Sequence, residues 1–208
     1  MASEPRLWTL ARKLQATAQT GLAFNSNEYD RDRYELVATI AAELMAVHCD
    51  TPAATFRQMF GQQEGYATPK VDVRAAAFRD GKILLVREAA DGLWTMPGGW
   101  ADVNDSPSEA VEREVREESG LLAKATRLAA VYDRAKHPHE PPLPFHVYKL
   151  FFLCEILGGE LAPSRETPEA GFFPPDKLPP LSISRNLPFQ ISRMFEHAKN
   201  PSLPTDFD

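Results

Sequence analysis

Three glutamates, Glu114, Glu117 and Glu118, stand at helical spacing in the segment Arg113-Glu114-Val115-Arg116-Glu117-Glu118. On a helix they fall on one stripe, with their carboxylates close together. Like charges so placed repel, and beside a wall of strands one must take up a proton unless a cation intervenes. A cluster of hard oxygen ligands suits Mg²⁺ or Mn²⁺, ions that also bind phosphate oxygens. A Glu-rich helix face by itself is usually solvated surface, so the neighbouring residues must decide. Just upstream lies Pro97-Gly98-Gly99, whose glycines let backbone approach a ligand closely. The Gly99 carbonyl can serve the same ion, and Arg113, four residues before Glu117, is placed to orient it.

The helix that presents these glutamates is tightly specified. Ser106 followed by Pro107 and then Glu109 makes a capping box with proline at the first helical position. Gly120 falls where a left-handed cap ends the run. A helix over 107–119 follows.

Other elements must hold that helix. Val71-Asp72-Val73-Arg74 alternates like a half-buried strand and continues through Ala75–Phe78. Asp80-Gly81 signals a hairpin into Ile83–Arg87. Two more strands are expected near 126–132 and 145–157, then a helix over 187–197 and a frayed tail from Pro201 to Asp208. Upstream, residues 5–60 read as a helical hairpin with a short third helix near 53–60, and a linker runs from Gly61 to Pro69. The chain thus divides into a helical domain, 1–65, and an α/β domain, 66–208.

The 208 residues carry a formal net charge of -6, which disfavours non-specific nucleic-acid binding. Two cysteines, Cys49 and Cys154, form no disulfide framework, and the segment Met1–Arg6 lacks the apolar core of a signal peptide. With no apolar run of about 18 residues, a membrane span is not expected and a cytoplasmic location is.

Taken together, Gly99, Asp105 and Arg113-Glu114-Val115-Arg116-Glu117-Glu118-Ser119-Gly120-Leu121 resemble the box of the Nudix hydrolases. Every spacing matches; the one departure is Asp105, where the pattern has Glu. The wider chain is similar to the branch with a helical domain before the Nudix domain. Its matching stretches include Leu14–Leu22, Tyr29–Tyr34, Leu93–Trp100, Phe145–Lys149 and Gly171–Phe173. The resemblance implies an α/β/α sandwich with a mixed sheet behind a small helical domain. It implies a Mg²⁺- or Mn²⁺-dependent pyrophosphohydrolase acting on a nucleoside diphosphate linked to another group, as in ADP-ribose or CDP-choline. Glu114, Glu117 and Glu118 would hold the metal with the Gly99 carbonyl, and Asp105 would be a secondary or water-mediated ligand. Glu166 or Glu169, on a distal loop, joins the box glutamates as a candidate base.

For substrate contacts the candidates are Arg74 and Arg87 on strands, Trp94 beside the glycine turn, and Arg134 and His137 in a proline-rich loop expected to be mobile. The pair His137-Pro138-His139 lacks the further ligands a zinc site needs. The helical domain is assigned to dimerisation or to covering the substrate. Two other readings remain: a non-catalytic module binding a nucleotide-like effector, and processing of RNA ends.

Overall fold

The computed structural model describes residues 6–47 and 49–208. The helical start at residue 5 and most of the segment read for a signal peptide lie outside the described residues. Two compact units emerge, Met1–Lys70 with Pro142–His146, and Val71–Pro141 with Val147–Asp208.

In the first unit, α1 (Arg6–Phe24), α2 (Glu28–Ala46) and α3 (Ala53–Gly61) form as the apolar spacing predicts. Asn27 caps α2 by accepting from the Tyr29 N–H. Trp8, Ala11, Ala42, Met45, Phe56 and Phe60 make the core. Gly21 is required where the Tyr34 ring lies against α1, since a Cβ there would sit 2.4 Å from the ring. Tyr29, Leu36, Ile40 and Val47 recur at seven- and four-residue steps on one face of α2 and its cap, and each is between 41% and 76% exposed.

The second unit is built on β1 (Lys70–Arg79), β2 (Lys82–Arg87), β3 (Trp94–Thr95), β4 (Leu121–Asp133), β5 (Val147–Gly159), β6 (Glu169–Phe173) and β7 (Asp206–Phe207). Their order is β3-β2-β1-β5-β4-β7, with β6 also paired to β2. β2 pairs antiparallel with β1, β3 and β6, whereas β7 runs parallel to β4, so the sheet is mixed. Helix α4 (Pro107–Ser119) buries Ala110, Val111 and Val115 with Val73, Ala75, Leu84 and Phe152. Helix α5 (Pro188–Lys199) buries Ile191, Met194 and Phe195 with Ala76, Leu85, Met96 and Phe151. Alternate residues of β1 therefore enter two different cores, which is the expected sandwich. Cys154 packs in the α4 core, where burial pushes its thiol up to about 12.

Two expectations are corrected. The tail is not frayed: β7 pairs with β4, Arg193 holds the Asp206 carboxylate at 2.8 Å with both Nε and a terminal nitrogen, and Tyr132 donates to it at 3.1 Å. The proline-rich loop is also tied down. Arg134 is buried and donates to the carbonyls of Pro141 and Ser184, and buried His139 donates from Nδ1 to Ile183 O at 2.8 Å. Proline content reports a stiff backbone, and the side-chain anchors that fix it come from distant segments.

The α5-side face of β1 carries a charge cluster. The Asp72 carboxylate accepts from Arg74 at 3.0 and 2.7 Å and from Lys149 at 2.5 Å, and all three side chains are buried. Burial raises the Asp72 pKa, but Arg74 and Lys149 outweigh it and hold the group at about 2. Burial pushes the Lys149 ammonium down to about 7 against the pull of Asp72. Removing the one anion strands two cations, so Asp72→Ala should cost about 3–5 kcal/mol in urea denaturation. A loss under roughly 1 kcal/mol would show that the cations find other partners.

Candidate active site

The cap of α4 forms as its sequence requires. Ser106 Oγ accepts from Glu109 N, Glu109 Oε2 accepts from Ser106 N at 2.9 Å, and Gly120 closes the helix at φ 75°. Because α4 buries one side, its three glutamates are unequal. Glu118 is 8% exposed, the Glu114 side chain is mostly buried, and Glu117 lies half-exposed at the rim.

Glu118 Oε2 accepts from the Gly98 N–H at 2.8 Å, which locks α4 to the glycine turn. Burial pushes the Glu118 carboxyl up to about 8, opposed by the Arg74 charge and the Gly98 hydrogen bond. Burial also raises Glu114, opposed by Arg113 and Arg74. Gly98 has no room for a side chain, since a Cβ there would lie 2.0 Å from Val73 O, and a Cβ on Gly99 would press on the Glu114 carboxylate at 3.0 Å. Gly99 O accepts from Val73 N and Pro97 O from Ala75 N, both at 2.8 Å. The Gly99 carbonyl, the expected metal ligand, thus already accepts one hydrogen bond from β1.

Arg113 does more than orient Glu117. One of its terminal nitrogens lies 3.1 Å from both Glu114 and Glu117, Nε lies 3.1 Å from Asp105, and the other terminal nitrogen lies 3.3 Å from Asp102. Asp105 therefore meets a guanidinium despite being a methylene shorter than the residue the box expects. As these side chains stand, no three acidic, His or Cys groups among the described residues converge on one point. The donor set nevertheless fits a hard divalent cation. It offers carboxylate oxygens beside a backbone turn free of side chains, and burial has left two of them short of positive charge.

The remaining candidates scatter. Arg74 is buried, donating to Asp72 and, at 3.3 Å, to Met96 O, so it is neither a solvated strand residue nor an open phosphate contact. Arg87 pairs with Glu169 at 2.6 Å across the β2–β6 ladder and donates to Gly92 O. Trp94 packs edge-on against Phe173, with ring centres 4.7 Å apart. His137 lies 3.0 Å from Asp208 and near the rings of Tyr132 and Phe189. Glu166 is exposed just before β6, and its carbonyl accepts from Ala89 N. Glu88, overlooked in the sequence, is buried 2.7 Å from Arg185, and its charge reaches Glu118. No local pattern marks Glu88, since its partner lies far along the chain. A separate cleft of about 560 Å³ in the helical unit, between Thr20, Phe24, Tyr34 and Tyr66, is lined by no acidic or basic side chain.

Residues 68–192 match the model of the NUDIX domain, and residues 5–60 match that of the UDP-X-like, N-terminal oligomerisation domain. The chain is 45% identical over 198 residues to the putative ADP-ribose pyrophosphatase YjhB of Bacillus subtilis, covering 95% of each. It is 45% identical to an ADP-ribose pyrophosphatase from Streptococcus suis of known crystal structure, with a TM-score of 0.62 over 68% of this chain and 100% of that one. A crystal structure of UDP-X diphosphatase matches at 30% identity and a TM-score of 0.63, covering 100% of both chains. No helix among the described residues is long and apolar enough to cross a membrane.

The raised Glu118 carboxyl has a consequence for stability. Its folded pKa of about 8 exceeds the ordinary 4.5, so the stability it contributes is fully present below about pH 4.5 and is lost as pH climbs toward 8. In EDTA, Glu118→Gln should therefore melt higher than the unaltered protein, by a margin that widens from about pH 5 to about pH 8. A gap that stays flat with pH would show that Glu118 does not carry this burial penalty.

Proposed function

Because the chain belongs to the NUDIX domain family and is a pyrophosphohydrolase, we propose that it hydrolyses the diphosphate of a nucleoside diphosphate joined to a sugar or a phosphoalcohol, with ADP-ribose the first candidate. The names of the two relatives at 45% identity favour ADP-ribose, and that of the UDP-X diphosphatase widens the range of bases and linked groups. The products are a nucleoside monophosphate and a phosphorylated remainder.

The observation that carries this reading is the hydrogen bond from Gly98 N to Glu118, which joins a buried carboxylate to a glycine turn that Glu114 also faces. Glu114 and Glu118 hold Mg²⁺ or Mn²⁺ together with a carbonyl of the Gly98–Gly99 turn, and Glu117 takes part from the rim. A divalent cation held there would supply charge screening for the diphosphate and a more acidic water. Arg113 holds Glu114 and Glu117 in place, and Asp105 acts through Arg113 rather than as a ligand. Glu166, exposed and bonded through its backbone to the segment that follows Glu88, is the preferred acceptor of the water proton. Arg87 can meet a phosphate only by leaving Glu169, while Arg134 and His137 shape the site by anchoring its loop. Trp94 contributes through packing.

With Mg²⁺ and a panel of ADP-ribose, UDP-glucose, CDP-choline and capped RNA, release of nucleoside monophosphate should be strongest from one of the first three. Glu114→Gln and Glu118→Gln should each lower kcat by roughly a hundredfold or more. Unaltered turnover in both variants, or silence across the panel, overturns the assignment.

The exposed stripe of Tyr29, Leu36, Ile40 and Val47 supports a homodimer through α2, in keeping with the description of the model that residues 5–60 match. Light scattering on Leu36→Asp/Ile40→Asp should report a monomer where the unaltered chain is a dimer. An unchanged mass would move the interface off α2.

A further inference from the structure

The strand leading into the glycine turn is only two residues long, and residues 180–187 act as its splint. Trp94 N donates to Pro180 O at 2.9 Å, and Ser182 N donates to Trp94 O at 2.8 Å. Beyond these, Asn186 Oδ1 accepts from Thr95 Oγ1 at 2.5 Å and from Met96 N at 2.8 Å.

Asn186 is 0% exposed. Two donors on one oxygen settle the orientation of its amide. They leave Nδ2 buried with no hydrogen-bond partner among the described residues. Burying an amide N–H unpaired is destabilising, and a leucine of similar shape avoids it. What leucine lacks is the accepting oxygen. Both backbone groups of Met96 are held, its N–H by Asn186 and its carbonyl by Arg74 at 3.3 Å. Two residues later Gly98 N meets Glu118, in a backbone with φ of 144° that abuts Val73. Only Pro97, whose ring fixes φ and whose carbonyl accepts from Ala75 N, separates Met96 from Gly98.

We infer that Asn186 is a positioning residue for the cation site: its amide oxygen fixes the Met96 peptide, and through it the Gly98 peptide against Glu118. This rests on the reading of Glu118 and the turn as the place where the divalent ion binds. Outer partners of this kind typically contribute about 10–100-fold to metal affinity or activity.

Three full-length proteins test it: unaltered, Asn186→Leu and Asn186→Asp, each titrated with Mn²⁺ by electron paramagnetic resonance and melted in EDTA. Asn186→Leu loses the orphaned N–H but strands the Met96 N–H, so it should fold with a somewhat lower melting temperature and bind Mn²⁺ about tenfold or more weakly. With ADP-ribose its kcat should fall while KM holds. Asn186→Asp, which keeps the accepting oxygen, should stay within about threefold in Mn²⁺ affinity. Unchanged Mn²⁺ binding by Asn186→Leu overturns the inference. So does equal weakening in both variants, or an Asn186→Leu chain that fails to fold, since either makes the residue merely structural. If the unaltered protein itself binds no Mn²⁺, the parent reading of the site fails, and this inference falls with it.

Discussion

One buried carboxylate, that of Asp72, balances two buried cations, and much of the second unit is arranged by that imbalance. Neither Arg74 nor Lys149 can keep its charge in an apolar interior without an anion, and a single anion cannot fully satisfy both. The surplus positive field is felt by Glu118, which Arg74 opposes in its drift toward the neutral form. Arg74 also reaches the Met96 carbonyl, so the group that answers the charge problem helps to set the backbone entering the glycine turn. Geometry and electrostatics at the site thus share one origin in β1.

What was legible in the sequence was whatever is decided locally. The capping box at Ser106, the proline at 107 and the glycine at 120 each act within a turn of the helix end, and α4 begins and stops where they say. That α1, α2 and α3 are helices was equally readable, but the buried stripe was not: α1 buries Trp8, Ala11, Gln15 and Ala18, whereas the apolar spacing marks Leu7, Leu10 and Leu14, and Ile40 of α2 is exposed. What escaped was whatever depends on a distant partner. β6 exists because it pairs with β2, and β7 because Asp206 meets Arg193 and Tyr132. In Val71-Asp72-Val73-Arg74 the alternation was right, but the polar side faces a second core instead of water, and nothing in those four residues announces Lys149.

The candidate site divides along the same line. That Glu114, Glu117 and Glu118 would share a helix stripe followed from their spacing, but their separate environments did not. Burial grades from Glu118 through Glu114 to Glu117, and this depends on which strands lie opposite. Arg113 illustrates the limit well. Its partnership with Glu117 is an i,i+4 relation and could be anticipated, whereas its hold on Asp102 and Asp105 depends on how the loop after Gly99 folds back. The shorter acid at 105 still reaches a long, forked cation, the Arg113 guanidinium, at 3.1 Å.

The short strand β7 also bears on how the chain behaves in company. β4 is a long strand at the margin of the sheet, and a bare margin of that kind offers its unpaired amides to any other extended chain. β7 covers Ala130 and Val131, and the Asp206 ion pair fastens it there. With β7 in place, the amides of β4 at Ala130 and Val131 are already paired and are not on offer to another extended chain.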